Sequence, residues 1–101
     1  FVFDTAMTTD DWWAAGVKSG TVATSVDMST ADAPAAATYQ KLRIEIDSTG
    51  TAVFFVGGVR RGSVASAVTT TVGLTPAIVT TGLSSAARAL DVDYIYCAQD
   101  R

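Results

Sequence analysis

The sequence predicts an all-β domain, and three observations support that prediction. Residues 39–64 alternate between apolar and polar side chains with a period of two and are divided by two glycine-containing turns, which is typical of consecutive strands. Turn signals recur along the chain about every 8–12 residues, as in β-sandwiches and barrels. Threonine and valine, which favour strands, are abundant. We therefore expect an antiparallel jelly-roll β-sandwich of two sheets.

The composition indicates one domain that spans residues 1–101 and is large enough to bury a modest core. With 49% hydrophobic and 17% charged residues, the chain is too apolar for a disordered protein. No apolar run approaches the ~20 residues that cross a bilayer, and the formal net charge of −3 argues against nucleic acid. We expect neither a membrane nor a nucleic acid as partner. Since the sequence does not begin with Met, we expect a fragment or processed piece of a longer chain.

Three residue types limit the chemistry of this chain. It contains no His, which excludes a Ser-His-Asp triad and a His-ligated zinc site. It contains no Asn, which excludes N-linked glycosylation and removes an amide that sugar-binding sites often use. The single Cys97 cannot form an internal disulfide, and we expect a buried thiol there rather than an intermolecular bridge or a reactive group.

The first 38 residues are expected to form a strand remnant, a hairpin and a loop. Ser19-Gly20 is a turn signal between two segments rich in β-formers, and Pro34 lies in a stretch without any period. The predicted elements are a strand remnant at 1–4, a turn at 8–11, strands at 12–18 and 21–27, and a surface loop at 28–37.

The central strands are predicted from alternation and turn chemistry. Leu42, Ile44 and Ile46 alternate with charged residues, so we expect one buried and one wet face. Asp47 suits the first position of a tight turn that Gly50 closes with a positive φ. The predicted elements that follow are strands at 52–56 and 61–68 around a turn at 57–58, a long turn at 69–76, a strand at 77–81, a loop at 82–88 and a final strand at 89–98.

Three stretches of the chain follow a known pattern. YQKLRIEID at 39–47 resembles a W/Y-x-x-L-R-I-E-x-D strand, TGTAVFFVGGV at 49–59 resembles a G-T-A-x-F-Y-V-D-G hairpin, and LTP at 74–76 with ALDVDYI at 89–95 resembles closing strands. These are motifs of concanavalin A-like lectin/glucanase (LamG-like) jelly-roll domains, in the version found in structural proteins of tailed bacteriophages. Gly57 stands where that family usually has Asp. The fold hosts lectins, glycosidases and inert structural modules, so the motifs specify the fold more than the function.

Glu45 and Asp47 are the residues that look most like a catalytic pair. They resemble part of the E-x-D-x-x-E signature of glucanases with this fold, and retaining glycosidases need two carboxylates about 5–5.5 Å apart. The third acid position is Gly50, Asp47 suits the turn, and Arg43 can pair with Glu45. We therefore expect a solvated strand face, no catalytic residue and no cofactor.

Asp91 and Asp93 share a face of the predicted last strand and are weak candidates for a metal site. The resemblance implies that an Asp there can bind structural calcium. Calcium takes six to eight oxygen ligands, and no clustered acidic loop supplies them. We expect a hydrogen bond or an ion pair to Arg88 or Arg61 in preference to a metal.

The remaining candidates are aromatic and basic side chains that suit contact with a partner or ligand: Trp12, Trp13, Arg60, Arg61, Tyr94 and Tyr96. The adjacent tryptophans would face opposite ways on a strand, one of them into the core. The other would pack in the core or at an edge, form a protein interface or contact a sugar. We expect the tyrosines in the sandwich core or in a subunit contact. The two arginines are expected at a hairpin tip, either solvated or paired with a neighbouring subunit.

These expectations lead to a non-enzymatic structural module on the exterior of a virion, or otherwise outside the cell. Capsid decoration, head-associated and tail-fibre roles all fit, with other virion proteins and copies of itself as partners. The low charge content favours subunit contacts, because a solitary domain of this size normally carries more charge. The alternative is a carbohydrate-binding module for attachment to a host surface, and a glycosidase is the least favoured reading.

Overall fold

In the computed structural model, residues 1–3, 6, 9–28, 33–81 and 89–99 are described, and they contain seven β-strands and no helix. The strands are β1 Trp13–Ala14, β2 Val17–Lys18, β3 Thr21–Val22, β4 Val26–Asp27, β5 Leu42–Ile46, β6 Ala52–Val56 and β7 Val59–Val64. All of their pairings are antiparallel, which confirms the all-β prediction. The loop predicted at 82–88 lies outside the described residues.

The N-terminal strands form the predicted hairpin, but in two separate pieces. β2 pairs with β3 next to the turn at Ser19-Gly20, and β1 pairs with β4 further from it. Ser19 and Gly20 have φ angles of 51° and 77°, the left-handed pair that a two-residue hairpin turn requires. Gly16 lies at the break between the two pieces and contacts the loop after β7. A Cβ atom on Gly16 would lie 2.7 Å from the Cα atom of Ala67, so the backbones meet there because Gly16 has no side chain.

The chain from β5 to β7 folds as a meander with β6 in the centre. The turn between β5 and β6 is closed by a hydrogen bond of 3.0 Å from Gly50 N to Asp47 O, and Gly50 has a φ of 81°. Both features confirm the predicted turn. Gly57 and Gly58 form the next turn in the left-handed region, at 60° and 86°. Because this turn needs only two residues, β7 begins at Val59, two residues earlier than predicted.

The core lies where the hairpin meets the meander. Its buried members come from β1, the end of β4, β6, β7 and the loop after β7, and they are Ala14, Met28, Ala52, Phe54, Val64 and Ala67. β1 and β4 both contact β7. The Phe1 ring packs edge-on against Phe54 at 5.2 Å and against Trp12 at 5.8 Å. The hairpin therefore covers one face of the sheet at its β6–β7 side.

The prediction that β5 has a buried face is wrong. Leu42, Ile44 and Ile46 lie opposite Val56, Phe54 and Ala52 in the register, so they share the apolar face of the sheet. They are nevertheless 36%, 46% and 44% exposed. The reason is position: β5 is an edge strand, and the covering hairpin contacts β7 at the opposite edge.

The strands predicted at 77–81 and 89–98 are also wrong. Residues 77–81 and 89–99 contain no strand, and every one of them is exposed. Cys97, predicted to be buried, is exposed in the same segment. Strand-like alternation produces a strand only where a neighbour satisfies the backbone N–H and C=O groups. None of the described strands pairs with these residues.

Candidate interaction surfaces

Asp47 is committed to the turn between β5 and β6, as predicted. Its Oδ1 atom accepts hydrogen bonds from Thr49 N at 2.8 Å, Thr49 Oγ1 at 2.6 Å and Thr51 N at 3.0 Å. The Thr49 hydroxyl, with the backbone N–H groups, holds the pKa of this carboxyl below its ordinary value, because these bonds favour the charged form. A carboxylate held in this way is a structural part of the turn.

The polar face of β5 is occupied by contacts within the sheet. Arg43 forms an ion pair with Glu45, as predicted. Its guanidinium carbon also lies 3.8 Å from the centre of the Phe55 ring on β6, in cation–π geometry. Glu45 is therefore paired with a cation, and Asp47 accepts hydrogen bonds from residues of the turn.

The two tryptophans are placed differently. Trp12 packs against the core, and its Nε1 atom donates a hydrogen bond of 2.8 Å to Gln40 Oε1, which links the hairpin to the chain that leads into β5. Trp13 is half-buried, and its Nε1 atom donates to Thr9 O at 3.4 Å. Trp12 is therefore the core residue of the pair, and the indole of Trp13 is partly covered and hydrogen-bonded to the backbone at Thr9.

Arg60 and Arg61 lie in β7 and not in the hairpin tip itself, because Gly57 and Gly58 complete the turn. Arg60 is exposed and donates from a terminal guanidinium nitrogen to Ser63 Oγ at 3.2 Å. Arg61 is half-buried where the β6–β7 register shifts, opposite the step from Phe54 to Phe55. Of the two arginines, Arg60 is the one that is exposed to a partner.

The C-terminal candidates are all on the surface. Tyr94 and Tyr96 are 64% and 81% exposed, so the expectation that they lie in the core is wrong, and the subunit-contact alternative remains. Asp91 and Asp93 are exposed beside them. The described part of the chain contains no group of three or more residues able to hold a metal ion. Arg88, a suggested partner of Asp93, lies outside the described residues.

The described residues form at least two depressions on the surface. One of about 350 Å³ is lined by small and polar residues of β2, β3 and the loop after β7, with Lys18 as its charged group. The other, of about 230 Å³, lies between residues 35–39 and residues 89–91. Neither combines an aromatic platform with an amide and a carboxylate, the set expected of a sugar site. The second depression shows that the C-terminal residues begin beside the chain that leads into β5.

The feature that sequence reasoning missed is the amount of apolar surface left uncovered. We call Leu42, Ile44 and Ile46 the edge face, and residues 89–99 the C-terminal arm. The arm exposes five large apolar or aromatic side chains: Leu90, Val92, Tyr94, Ile95 and Tyr96. Exposed apolar patches mark interaction sites in folded proteins. The signal in the sequence is the low content of charged residues, which indicates that apolar surface is left uncovered but does not show where it lies.

The described residues define an all-β protein assembled from small antiparallel sheets. Comparisons of the chain with protein-family models, with curated proteins and with solved structures found no match. Within the residues described, no helix has the length and hydropathy required to cross a bilayer.

Proposed function

We propose that this chain is a non-enzymatic structural module on the exterior of a virion, acting through contacts with copies of itself and with other virion proteins. One observation supports the contact role above all: the edge face and the C-terminal arm leave apolar side chains open to solvent. Burial of such surface is the main driving force for protein association. The resemblance of residues 39–101 to LamG-like domains of tailed-phage proteins supports the viral setting. It also supports a complete two-sheet jelly roll and a decoration, head-associated or tail-fibre position.

The carboxylates of the central hairpin support a structural role over a catalytic one. A glycosidase acid needs a raised pKa, and its partner must approach the substrate freely. Asp47 has a lowered pKa and accepts three hydrogen bonds, while Glu45 forms an ion pair with Arg43. Both arrangements stabilise the hairpin and oppose acid catalysis.

Analytical ultracentrifugation over a range of concentrations, combined with mass spectrometry of purified virions, tests the proposal. The expected result is reversible self-association of the chain and its presence in particles. A chain that stays monomeric up to high concentration and is absent from virions would show that the proposal is wrong.

A carbohydrate-binding module for host attachment is the second candidate. The observation that favours it is the exposure of Tyr94 and Tyr96 beside Asp93, since sugars stack on open aromatic faces and hydrogen-bond to carboxylates. A glycan array tests it, with Tyr94→Ala and Tyr96→Ala as variants. Binding that both variants abolish would support this role, and an array without hits would exclude it for the glycans tested.

A further inference from the structure

The outer edge of β5 is open to pairing with another strand. β5 is five residues long, pairs with β6 in an uninterrupted register, and is an edge strand of the three-stranded sheet. Protected edges carry charged side chains, a proline or a bulge, and β5 has charged side chains on one face but no proline and no bulge. Its apolar side chains, the edge face, stay about half open because nothing covers that side of the sheet among the described residues.

The C-terminal arm has the pattern of a strand without a partner. Leu90, Val92, Tyr94 and Tyr96 lie at alternate positions, so an extended arm presents an apolar row on one face. The other face carries Asp91 and Asp93, followed by Ile95 and Cys97. These side chains are all exposed in the single chain. The arm can therefore supply the two things that the outer edge of β5 does not have: backbone hydrogen-bond partners and an apolar cover for the edge face.

The two segments match in one parallel register. When residue 92 lies beside residue 42, Val92, Tyr94 and Tyr96 extend the apolar face next to Leu42, Ile44 and Ile46. On the other face the same register sets the arm's two carboxylates beside two cations, with Asp91 next to Lys41 and Asp93 next to Arg43.

Coverage and charge together decide the direction of the arm. An antiparallel arrangement with the same 92–42 pair also places the acids beside the cations, but it carries residues 94–98 past the start of β5 and leaves Ile46 uncovered. An antiparallel arrangement with a 94–44 pair covers the edge face, but it places Asp93 beside Glu45 and Asp91 beside Asp47, where like charges repel. The parallel register both covers the edge face and sets the acids beside cations.

From this match we infer that the arm of one copy adds as a strand to the β5 edge of a second copy. The single chain leaves both the arm and the edge open, although its own arm begins beside residues 35–39. Strand addition between copies is a common route to oligomers. The inference rests on the proposed self-association and names the elements that carry it.

Cysteine trapping between two differently tagged copies tests the inference. One copy carries Ile46→Cys and the other Tyr96→Cys, both with Cys97→Ser, and the mixed copies are oxidised mildly. The expected result is a disulfide between the two tags, because neighbouring strands bring these positions within disulfide range. The matched control, Thr38→Cys with Tyr96→Cys, reports the antiparallel register with the 92–42 pair and should remain uncrosslinked.

A charge exchange provides the second measurement. Asp93→Arg should weaken self-association by about tenfold, and mixing it with Arg43→Asp should restore the contact, since opposite charges on neighbouring strands attract and like charges repel. Association without the 46–96 crosslink and without charge rescue would overturn the inference while leaving the proposed function in place. A monomer in which hydrogen exchange protects the β5 edge would show that the arm pairs within its own chain. That result would overturn the inference, and absence from virions would then overturn the proposed function as well.

Discussion

Phe54 and Phe55 are neighbours on β6 whose side chains face opposite sides of the sheet, and truncating each one provides a test of the fold. Phe54 is 2% exposed and packs edge-on against the Phe1 ring at 5.2 Å. Phe55 is half-buried beneath the Arg43 guanidinium. The residue type, the strand and the local propensity are the same, so the two substitutions differ mainly in burial.

The structure gives the expected magnitudes. Phe54→Ala removes a fully buried ring and should lower the free energy of unfolding by about 3–5 kcal/mol. Phe55→Ala loses part of its burial and a cation–π contact worth about 0.5–1 kcal/mol at an exposed site, so its total cost should be about 1–2 kcal/mol. Domains of this size are stable by only about 5–15 kcal/mol. The Phe54 substitution should therefore remove a large share of the stability and the Phe55 substitution a much smaller one.

Urea unfolding followed by tryptophan fluorescence measures both costs, with equal m-values as the check that the unfolding reaction is unchanged. If Phe54→Ala does not fold, Phe54→Leu and Phe55→Leu should keep the same order with smaller losses. Equal costs for the two positions, or a larger cost at Phe55, would refute the assignment of the buried face.

Three further outcomes follow from local contacts. Gly16→Ala should lower the free energy of unfolding by about 1–3 kcal/mol, because the new Cβ atom would lie 2.7 Å from the backbone of Ala67. Gly73→Ala is the control and should change the free energy of unfolding little, because there is open space around Gly73. Chemical denaturation measures both. The hydrogen bonds that lower the pKa of Asp47 stabilise the fold at pH values above 3.8, the ordinary pKa of this carboxyl. This contribution is lost as the pH falls through the lower pKa of the folded state. The stability gap between the wild type and Asp47→Ala should accordingly shrink in acid, and a gap that widens would contradict the cause given. Trp12→Phe should cost about 0.5–1.5 kcal/mol through its hydrogen bond to Gln40, and a double-mutant cycle with Gln40→Ala should show coupling between the two.

The sequence predicted well those features that depend on neighbouring residues. The turn from Asp47 to Gly50 and the turn at Gly57-Gly58 were predictable because their backbone conformations follow from the turn residues themselves. The Arg43–Glu45 pair was predictable because residues i and i+2 share a strand face.

Features that depend on distant parts of the chain were not predictable in the same way. Alternation at Leu42 and Ile44 shows which side is apolar, but whether another layer covers that side depends on where the hairpin lies. The same pattern at residues 89–98 shows the ability to form a strand but supplies no neighbour. Of the two adjacent tryptophans, the core residue was decided by the packing of Phe1 and by the position of Gln40.

The placement of the aromatic residues gives this protein two separate optical reporters. Both tryptophans lie in the N-terminal hairpin region, where Trp12 contacts Phe1 and Gln40. Of the three tyrosines, Tyr94 and Tyr96 belong to the arm. Tryptophan emission therefore follows the docking of the hairpin on the sheet, while tyrosine absorbance follows the surroundings of the arm. Assembly and unfolding should be distinguishable in one sample without any added label.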